Sequence, residues 1–233
     1  MKQKLIVAWG AAGAGLLTVI LGLTIVLIMP STANLTEGYR TPIIAFEFAK
    51  TEADLAFLTD SDPNGAENRD KIDRGHRWDM LFPVAYGLFL ALLLIQMAQA
   101  GFKLGWLFVP FALFAIPFDL WENTILLSIT ASLRQGGTGT EFLGKLHIAT
   151  WLKWGAIGLG AAGVGWGAWQ KEEYWSAVLA IGTFLMTAIS WLLGSQPFWV
   201  ELMALMVFIF FLWFVMKQSV QLWQRGFAQG IAL

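Results

Sequence analysis

Six long apolar stretches dominate the hydrophobic pattern of the chain, at residues 5–29, 78–100, 106–129, 146–169, 174–193 and 198–216. A helix needs about 20 mostly apolar residues to cross roughly 30 Å of bilayer hydrocarbon, and each stretch is close to that length. The apolar positions are continuous and do not alternate with period two, which argues against strands. Trp78, Trp106 and Trp169 stand at stretch edges, where aromatic side chains mark the membrane interface. The pattern predicts six transmembrane helices.

The connection between the first two stretches, residues 30–77, has a pattern of its own. Thr41 and Pro42 are typical of an N-cap and a first helical position, and apolar residues then recur at helical spacing up to residue 58. Polar residues such as Glu47 and Asp54 fall between them. We therefore expect an amphipathic helix over about residues 42–58, lying along the outer surface. The predicted fold is an all-α, polytopic membrane helical bundle, built as a single membrane domain over residues 1–233.

Small residues within the stretches predict one helix contact. Gly10 and Ala14 in the first stretch, and Gly163 and Gly167 in the fourth, are separated by three residues. Such pairs let helix backbones approach closely in lipid. We expect the first and fourth spans to pack against each other.

The composition agrees with a membrane protein and excludes several functions. Hydrophobic residues make up 57% of the 233 residues and charged residues 13%, against about 25% charged in average soluble chains. The net charge of −1 argues against a nucleic-acid binder that acts through a basic surface. With no cysteine, the chain has no disulfide, thiolate nucleophile or cysteine-ligated metal. The expected surroundings are the lipid bilayer, with no nucleic-acid partner.

The distribution of basic residues predicts the orientation. Lys2 and Lys4 precede the first span, whereas the short outer connection carries Arg134 and Lys145. The connection over residues 30–77 also holds six basic residues, which works against this assignment. Because the first helix usually dominates, we predict that both termini are cytoplasmic. The expected location is the cytoplasmic membrane or a thylakoid membrane.

Ionisable side chains inside the spans mark a candidate site, because such groups are costly in lipid. Asp119, Glu122 and Asn123 lie at i, i+3 and i+4, on one face of the third span. A rise of about 1.5 Å per residue places Glu122 and Lys153 at similar depths, about 10 Å below the outer boundary. We predict an outward-facing polar pocket with seven ligand-binding residues: Asp79, Tyr86, Asp119, Glu122, Asn123, His147 and Lys153. His147 is about 120° from Lys153 in helical phase, so we expect it at the mouth.

Two carboxyl groups facing one lysine carry the functional interpretation. If one carboxylate neutralises Lys153, the other should take a proton, a cation or a basic ligand. This favours binding of a small amphiphile or lipid. Two alternatives stay open: a structural or accessory subunit of a membrane complex, whose buried charges lock helices, and an intramembrane enzyme with Asp119 or Glu122 as general acid or base. The chain lacks an HExxH motif or paired histidines, so no metal site is expected, and no particular cofactor is indicated.

Three short motifs carry a resemblance. They are Trp78-Asp79-x-x-Phe82-x-x-x-Tyr86, Asp119-x-x-Glu122-Asn123 and Lys153-Trp154. Their order resembles that of a loosely defined family of small bacterial multi-span membrane proteins of unknown function, over residues 1–165. The resemblance implies a bacterial membrane protein and leaves the last two spans as an addition to the shared part.

Overall fold

The computed structural model describes residues 2–31 and 33–228, with the backbone alone for Lys2 and residues 225–228. The described structure is 81% helical and contains no strand, so the all-α prediction is confirmed. The α-helices are α1 (Lys2–Ile28), α2 (Pro42–Glu47), α3 (Gly65–Asp79), α4 (Phe82–Gln99), α5 (Gly105–Arg134), α6 (Leu143–Gln170), α7 (Tyr174–Leu192) and α8 (Pro197–Ala228). Two short 3₁₀ helices lie at Glu52–Leu58 and Thr140–Phe142.

Six of these helices form a closed ring. The ring runs from α4 through α5, α6 and α7 to α8, and each helix packs on the next. Helix α1 closes the ring by packing on both α8 and α4. Helices α4 and α6 also touch across the ring. Short turns connect most neighbours, so the helices alternate in direction. Phe89, Leu90 and Phe210 are among the fully buried side chains of the core.

Five helical segments within the described residues are long and apolar enough to cross a membrane: Gln3–Ile28, Gly65–Gln99, Gly105–Arg134, Tyr174–Leu192 and Pro197–Gln224. The remaining predicted span corresponds to α6, which has 28 residues but is less apolar because it carries Lys153, His147 and many glycines. Large apolar side chains face outward, such as Leu27 at 85% exposure. A lipid environment accounts for such exposure, and the chain is therefore interpreted as an integral membrane protein.

The start of α1 and the end of α8 lie at the same end of the ring. The Gln218 amide on α8 donates a hydrogen bond to the Ala8 carbonyl on α1, over 3.1 Å. We call this the terminal end, and the opposite end, which carries residues 33–79, the loop end. The side chains of Lys2 and Arg225, which belong to the basic residues near the termini, lie outside the described residues.

The loop end corrects the prediction of one amphipathic surface helix over residues 42–58. Helix α2 ends at Glu47, and a separate 3₁₀ helix follows at Glu52–Leu58. Residues 44–49 are all buried, including Glu47 and Phe48. This run has apolar side chains on every side of the helix, so the chain enters the bundle and leaves no polar face towards water. Residues 42–58 are called the inserted segment below.

Hydrogen bonds fix the start of the inserted segment to α8. The Glu201 carboxylate accepts bonds from the backbone N–H groups of Arg40, at 2.9 Å, and Thr41, at 2.7 Å. The Thr41 hydroxyl donates to the other Glu201 oxygen over 2.7 Å. Glu201 therefore satisfies the two backbone donors that immediately precede α2.

The turn after α2 depends on Asp54. Burial raises the pKa of Asp54, but hydrogen bonds from Lys50, Thr36 and Thr51 outweigh it, so that the pKa falls below its ordinary value. The Lys50 ammonium also donates to the Gly194 carbonyl, in the turn between α7 and α8. The inserted segment is thus held at its start by Glu201 and near its middle by the bond from Lys50.

Helix α3 occupies most of the chain between the inserted segment and the second predicted span. Met80 and Leu81 separate α3 from α4, so α4 begins at Phe82, four residues after the predicted start of the second span. Gly75 of α3 lies against Met29 at the end of α1. The Arg134 guanidinium of α5 pairs with Asp70 on α3, at 2.8 Å, and with Asp73. Partners on α1 and α5 therefore stabilise a helix whose own sequence is mostly polar.

The predicted packing of the first span on the fourth is wrong. Helix α1 packs mainly on α4 and α8, and Gly15 lies against Phe89 and Val215 of these helices. Gly163 of α6 instead lies under the Phe108 ring of α5. The small residues do let α1 and α6 approach other helices closely. They do not bring α1 and α6 together, because the α6 glycines face aromatic and branched side chains and not the glycines of α1.

Candidate functional site

A lysine between two glutamates forms the centre of the buried polar cluster. The Lys153 ammonium of α6 lies 2.9 Å from Glu47 of α2 and also contacts Glu122 of α5. Lys153 is 4% exposed and Glu122 is 0% exposed. The ion pairs therefore join three separate elements inside the protein. The predicted proximity of Lys153 to a carboxylate of the third span is found at Glu122.

Helix α6 holds the end of α2 with further bonds. The Trp154 indole N–H donates to the Glu47 carboxylate over 3.1 Å, and the Thr150 hydroxyl donates to the Glu47 backbone carbonyl over 3.1 Å. The Lys153 ammonium lies 5.0 Å from the centre of the Trp154 ring. Thr150, Lys153 and Trp154 share one helical face through their i, i+3 and i+4 spacing. One face of α6 thus determines where Glu47 lies.

A second buried pair joins α4 to α5. The Tyr86 hydroxyl donates to Asp119 over 2.7 Å, and both side chains are buried. The Tyr86 ring packs edge-on against Phe82, at 5.2 Å between ring centres, and lies 5.6 Å from Phe211. These contacts fix the ring so that its hydroxyl points at the carboxylate.

Asp79 and Asn123 complete the cluster on the loop-end side. The Asn123 amide donates to the Asp79 backbone carbonyl over 3.4 Å, where α3 ends. Both residues are buried. Among the predicted site residues, the structure thus brings together Asp79, Tyr86, Asp119, Glu122, Asn123 and Lys153 in one cluster between α3, α4, α5 and α6.

His147 is not part of this cluster. It lies on α6 with an exposed side chain, whereas Lys153 on the same helix is buried. This difference in exposure agrees with the 120° phase difference. The role of His147 at a pocket mouth stays a prediction.

Three buried oxygens on one face of α5 have no hydrogen-bond partner among the described residues. They are Asp119 Oδ1, Glu122 Oε1 and Asn123 Oδ1. A buried polar atom without a partner costs about 1–3 kcal/mol, so such atoms are uncommon and each calls for a donor. A proton on a carboxyl group, or a donor from a bound molecule, would supply it.

The charges of the cluster do not balance when every group is ionised. The carboxyl groups of Glu47 and Glu122 contact the Lys153 ammonium, and those of Asp79 and Asp119 are buried in the same cluster. In a medium of low dielectric constant, one ammonium compensates one carboxylate. The remaining carboxyl groups need protons or a further cation. Within the described residues, no three or more His, Cys, Asp or Glu side chains are arranged to hold a metal ion.

Glu47 and His76 are members of the site that the sequence did not indicate. Glu47 was placed on the polar side of a surface helix, yet it is buried between Phe46 and Phe48. The two flanking phenylalanines are the sequence feature that could have indicated the burial of Glu47. His76 is fully buried as well, and its Nδ1 lies 2.8 Å from the Ile72 carbonyl. Its Nε2 has no partner among the described atoms.

Comparisons with protein-family models, with curated proteins and with solved structures find no match to this chain. The motif resemblance over residues 1–165 is thus not accompanied by a matching family model. The function is therefore argued from the geometry of the cluster itself.

Proposed function

We propose that this integral membrane protein binds a small amphiphile with a basic group at the buried acidic cluster. The observation that carries the proposal is the row of unpartnered oxygens on Asp119, Glu122 and Asn123, within a cluster that has more carboxyl groups than cations. A protonated amine supplies N–H donors and positive charge, which are the two things that these oxygens lack. The apolar part of the ligand would lie among the surrounding apolar side chains.

We propose that the ligand reaches the cluster from the loop end. A depression of about 480 Å³ opens there and is lined by residues that include Ser31, Tyr39, Arg40 and Pro42. Pro42 begins α2, whose last residue, Glu47, bonds to Lys153 and Trp154. The proposal therefore requires the inserted segment to move aside when the ligand enters. Its bonds to Glu201 and Gly194 are the contacts that would break.

Tyr39, which is half-buried at this entrance, lies close to two acidic side chains. Burial, with smaller effects of Asp54 and Glu201, raises the pKa of Tyr39 to about 12. The phenol is neutral at physiological pH with or without this shift, so it lies beside the two carboxylates without charge repulsion. The segment between α1 and α2 is thus suited to lie against two acidic groups.

The test is equilibrium binding of radiolabelled dodecylamine to the purified full chain in a neutral detergent. Dodecanol of equal chain length serves as the uncharged competitor. We expect dodecylamine to bind saturably and dodecanol to compete weakly. Asp119→Asn and Glu122→Gln should each weaken amine binding about tenfold, because each removes an acidic partner of the ammonium. The matched control is Glu52→Gln, an exposed glutamate in the inserted segment.

Helix locking in an accessory subunit is the second candidate, and one observation favours it. Lys153 already contacts carboxylates from two other elements, so the cluster joins α2, α5 and α6 without any ligand. On this interpretation the cluster holds the helices together and binds no ligand. Wild-type protein that binds no dodecylamine, together with strong destabilisation by Lys153→Met, would favour locking over ligand binding.

For the orientation we propose cytoplasmic termini, with the loop end outside. The proposal rests on Lys4 and the other basic residues near the termini. The natural chain has no cysteine, so single cysteines can be introduced for labelling. An impermeant thiol reagent on intact cells should label cysteines placed at Ser31, Asn64 and Thr138, but not at Ser219. The reverse labelling pattern would place the acidic cluster near the cytoplasmic side.

A further inference from the structure

A second polar cavity lies at the terminal end, far along the helices from the acidic cluster. It has a volume of about 400 Å³ and is enclosed by the start of α1, the end of α4, the turn between α6 and α7, and α8. Its polar lining includes Lys4, Gln96, Gln99, Lys171, Lys217 and Gln221. This volume lies within the range of sites that hold small molecules or parts of larger ones.

The charged residues of the lining are predominantly basic. Three lysines line the cavity against one acidic residue, Glu173. The Lys217 ammonium lies 2.5 Å from Glu173 and donates to the Ser176 hydroxyl over 3.0 Å. This arrangement places Lys217 at a fixed position while the lining as a whole keeps a positive charge. An anionic ligand is therefore the matching class.

Amide donors add a second observation that points to an acceptor ligand. The Nε2 atom of Gln96 is buried and has no hydrogen-bond partner among the described atoms. Gln99 and Gln221 contribute further amides to the lining. A buried N–H group without an acceptor is costly, and phosphate oxygens are strong acceptors for such donors.

The depth of the cavity fits the headgroup region of a bilayer. Trp169 and Tyr174 stand at the same end, on α6 and α7, with ring centres 5.4 Å apart. Trp175 is 83% exposed beside them. Exposed Trp and Tyr side chains concentrate at the level of lipid headgroups. The cavity therefore opens where phosphate groups of the bilayer lie.

We propose that this cavity is a binding site for a phosphate group, with the lysine ammonium groups and the Gln96 amide as donors to its oxygens. The headgroup of an anionic phospholipid and soluble phosphate share this chemistry. The site is separate from the acidic cluster and takes ligands of the opposite charge.

The experiment measures the thermal unfolding midpoint of the purified full chain in neutral detergent. One arm adds phosphatidylglycerol and is compared with phosphatidylcholine at equal concentration; the other adds inorganic phosphate. The variants are Lys4→Gln and Gln96→Leu. Lys103→Gln is the matched control, because Lys103 is exposed near the same end but does not line the cavity.

We expect phosphatidylglycerol to raise the midpoint of the wild type above that in phosphatidylcholine. The apparent affinity should fall about tenfold in Lys4→Gln and in Gln96→Leu, and stay unchanged in Lys103→Gln. A rise with phosphatidylglycerol alone identifies a lipid headgroup as the ligand, and an equal rise with inorganic phosphate identifies the free anion. No rise in either arm, or an equal rise in wild type and both cavity variants, would overturn the proposal.

Discussion

The two halves of α4, α5 and α6 pack by different means. Towards the loop end, Tyr86, Glu122 and Lys153 join these helices, or the segment inserted between them, through buried hydrogen bonds and ion pairs. Towards the terminal end, the same helices meet through small residues. Gly163 of α6 lies under the Phe108 ring of α5, and Gly160 lies against Leu90 of α4.

The difference shows what each kind of contact can do in lipid. Lipid tails are as apolar as the helices, so burial of apolar surface alone does not drive helices together. Glycines allow close packing and dispersion contacts, and they leave nothing that requires a partner. The charged half makes stronger and more directional contacts, but any group left without a partner is costly. Chemistry is therefore expected in the charged half and close packing in the other.

The largest expected effect comes from removing the central cation. Lys153→Met leaves Glu47 and Glu122 buried without their shared partner. We expect a loss of about 3–5 kcal/mol in the free energy of unfolding, measured in detergent with a chemical denaturant. Lys145→Met is the matched control on the same helix, because Lys145 is exposed and should change the stability little.

A double-mutant cycle sharpens the same point. Combining Lys153→Met with Glu122→Gln should recover part of the stability lost by the lysine change, since the buried negative charge is removed with its partner. Strictly additive effects of the two substitutions would contradict a direct ion pair between these residues.

A methyl group added in the glycine half should have the next largest effect. The Cβ atom of an alanine at position 163 would lie 2.4 Å from the Phe108 ring, which is too close for any carbon contact. We expect Gly163→Ala to lower the free energy of unfolding by about 2–3 kcal/mol through overpacking.

Gly155→Ala is the matched control for that substitution. It lies on the same helix and would meet nothing within 4 Å. Because alanine favours the helix over glycine, its effect should be neutral or slightly stabilising. Equal effects at positions 155 and 163 would mean that close packing does not distinguish this half of the molecule.

The smallest expected effect comes from removing the hydrogen bond between Tyr86 and Asp119. Tyr86→Phe keeps the ring contacts with Phe82 and Phe211 but removes the donor to Asp119. We expect a loss of about 1 kcal/mol, measured by the same denaturant unfolding. A loss as large as that of Lys153→Met would show that the Tyr86 pair, not the lysine, is the main polar contact of the bundle.

Much of the fold could be predicted from the sequence, because a long apolar run in lipid must satisfy its backbone hydrogen bonds internally and therefore forms a helix. The predicted span at residues 174–193 coincides with α7 to within one residue, and α6 extends only a few residues beyond its predicted span. Asp119, Glu122 and Asn123 share a face because helical spacing requires it. The proximity of Lys153 to Glu122 could be predicted because both residues lie at a similar estimated depth in the membrane.

The inserted segment could not be predicted in the same way. Periodicity describes one element at a time, whereas the burial of Glu47 depends on a lysine about a hundred positions later in the chain. The same holds for Glu201 near the start of α8, which accepts bonds from the backbone N–H groups of Arg40 and Thr41. Contacts between distant polar residues have no local signature, so sequence patterns alone leave them undetermined.

The most direct test of the central claim is infrared difference spectroscopy of the carboxyl groups when dodecylamine is added. If the ammonium enters the acidic cluster, protonated carboxyl groups become carboxylates, and their C=O stretching band should decrease in the wild type. The decrease should be absent with dodecanol and absent in the double variant Asp119→Asn, Glu122→Gln. An unchanged carboxyl band on saturation with dodecylamine, or the same decrease in the double variant, would contradict a basic ligand at this cluster.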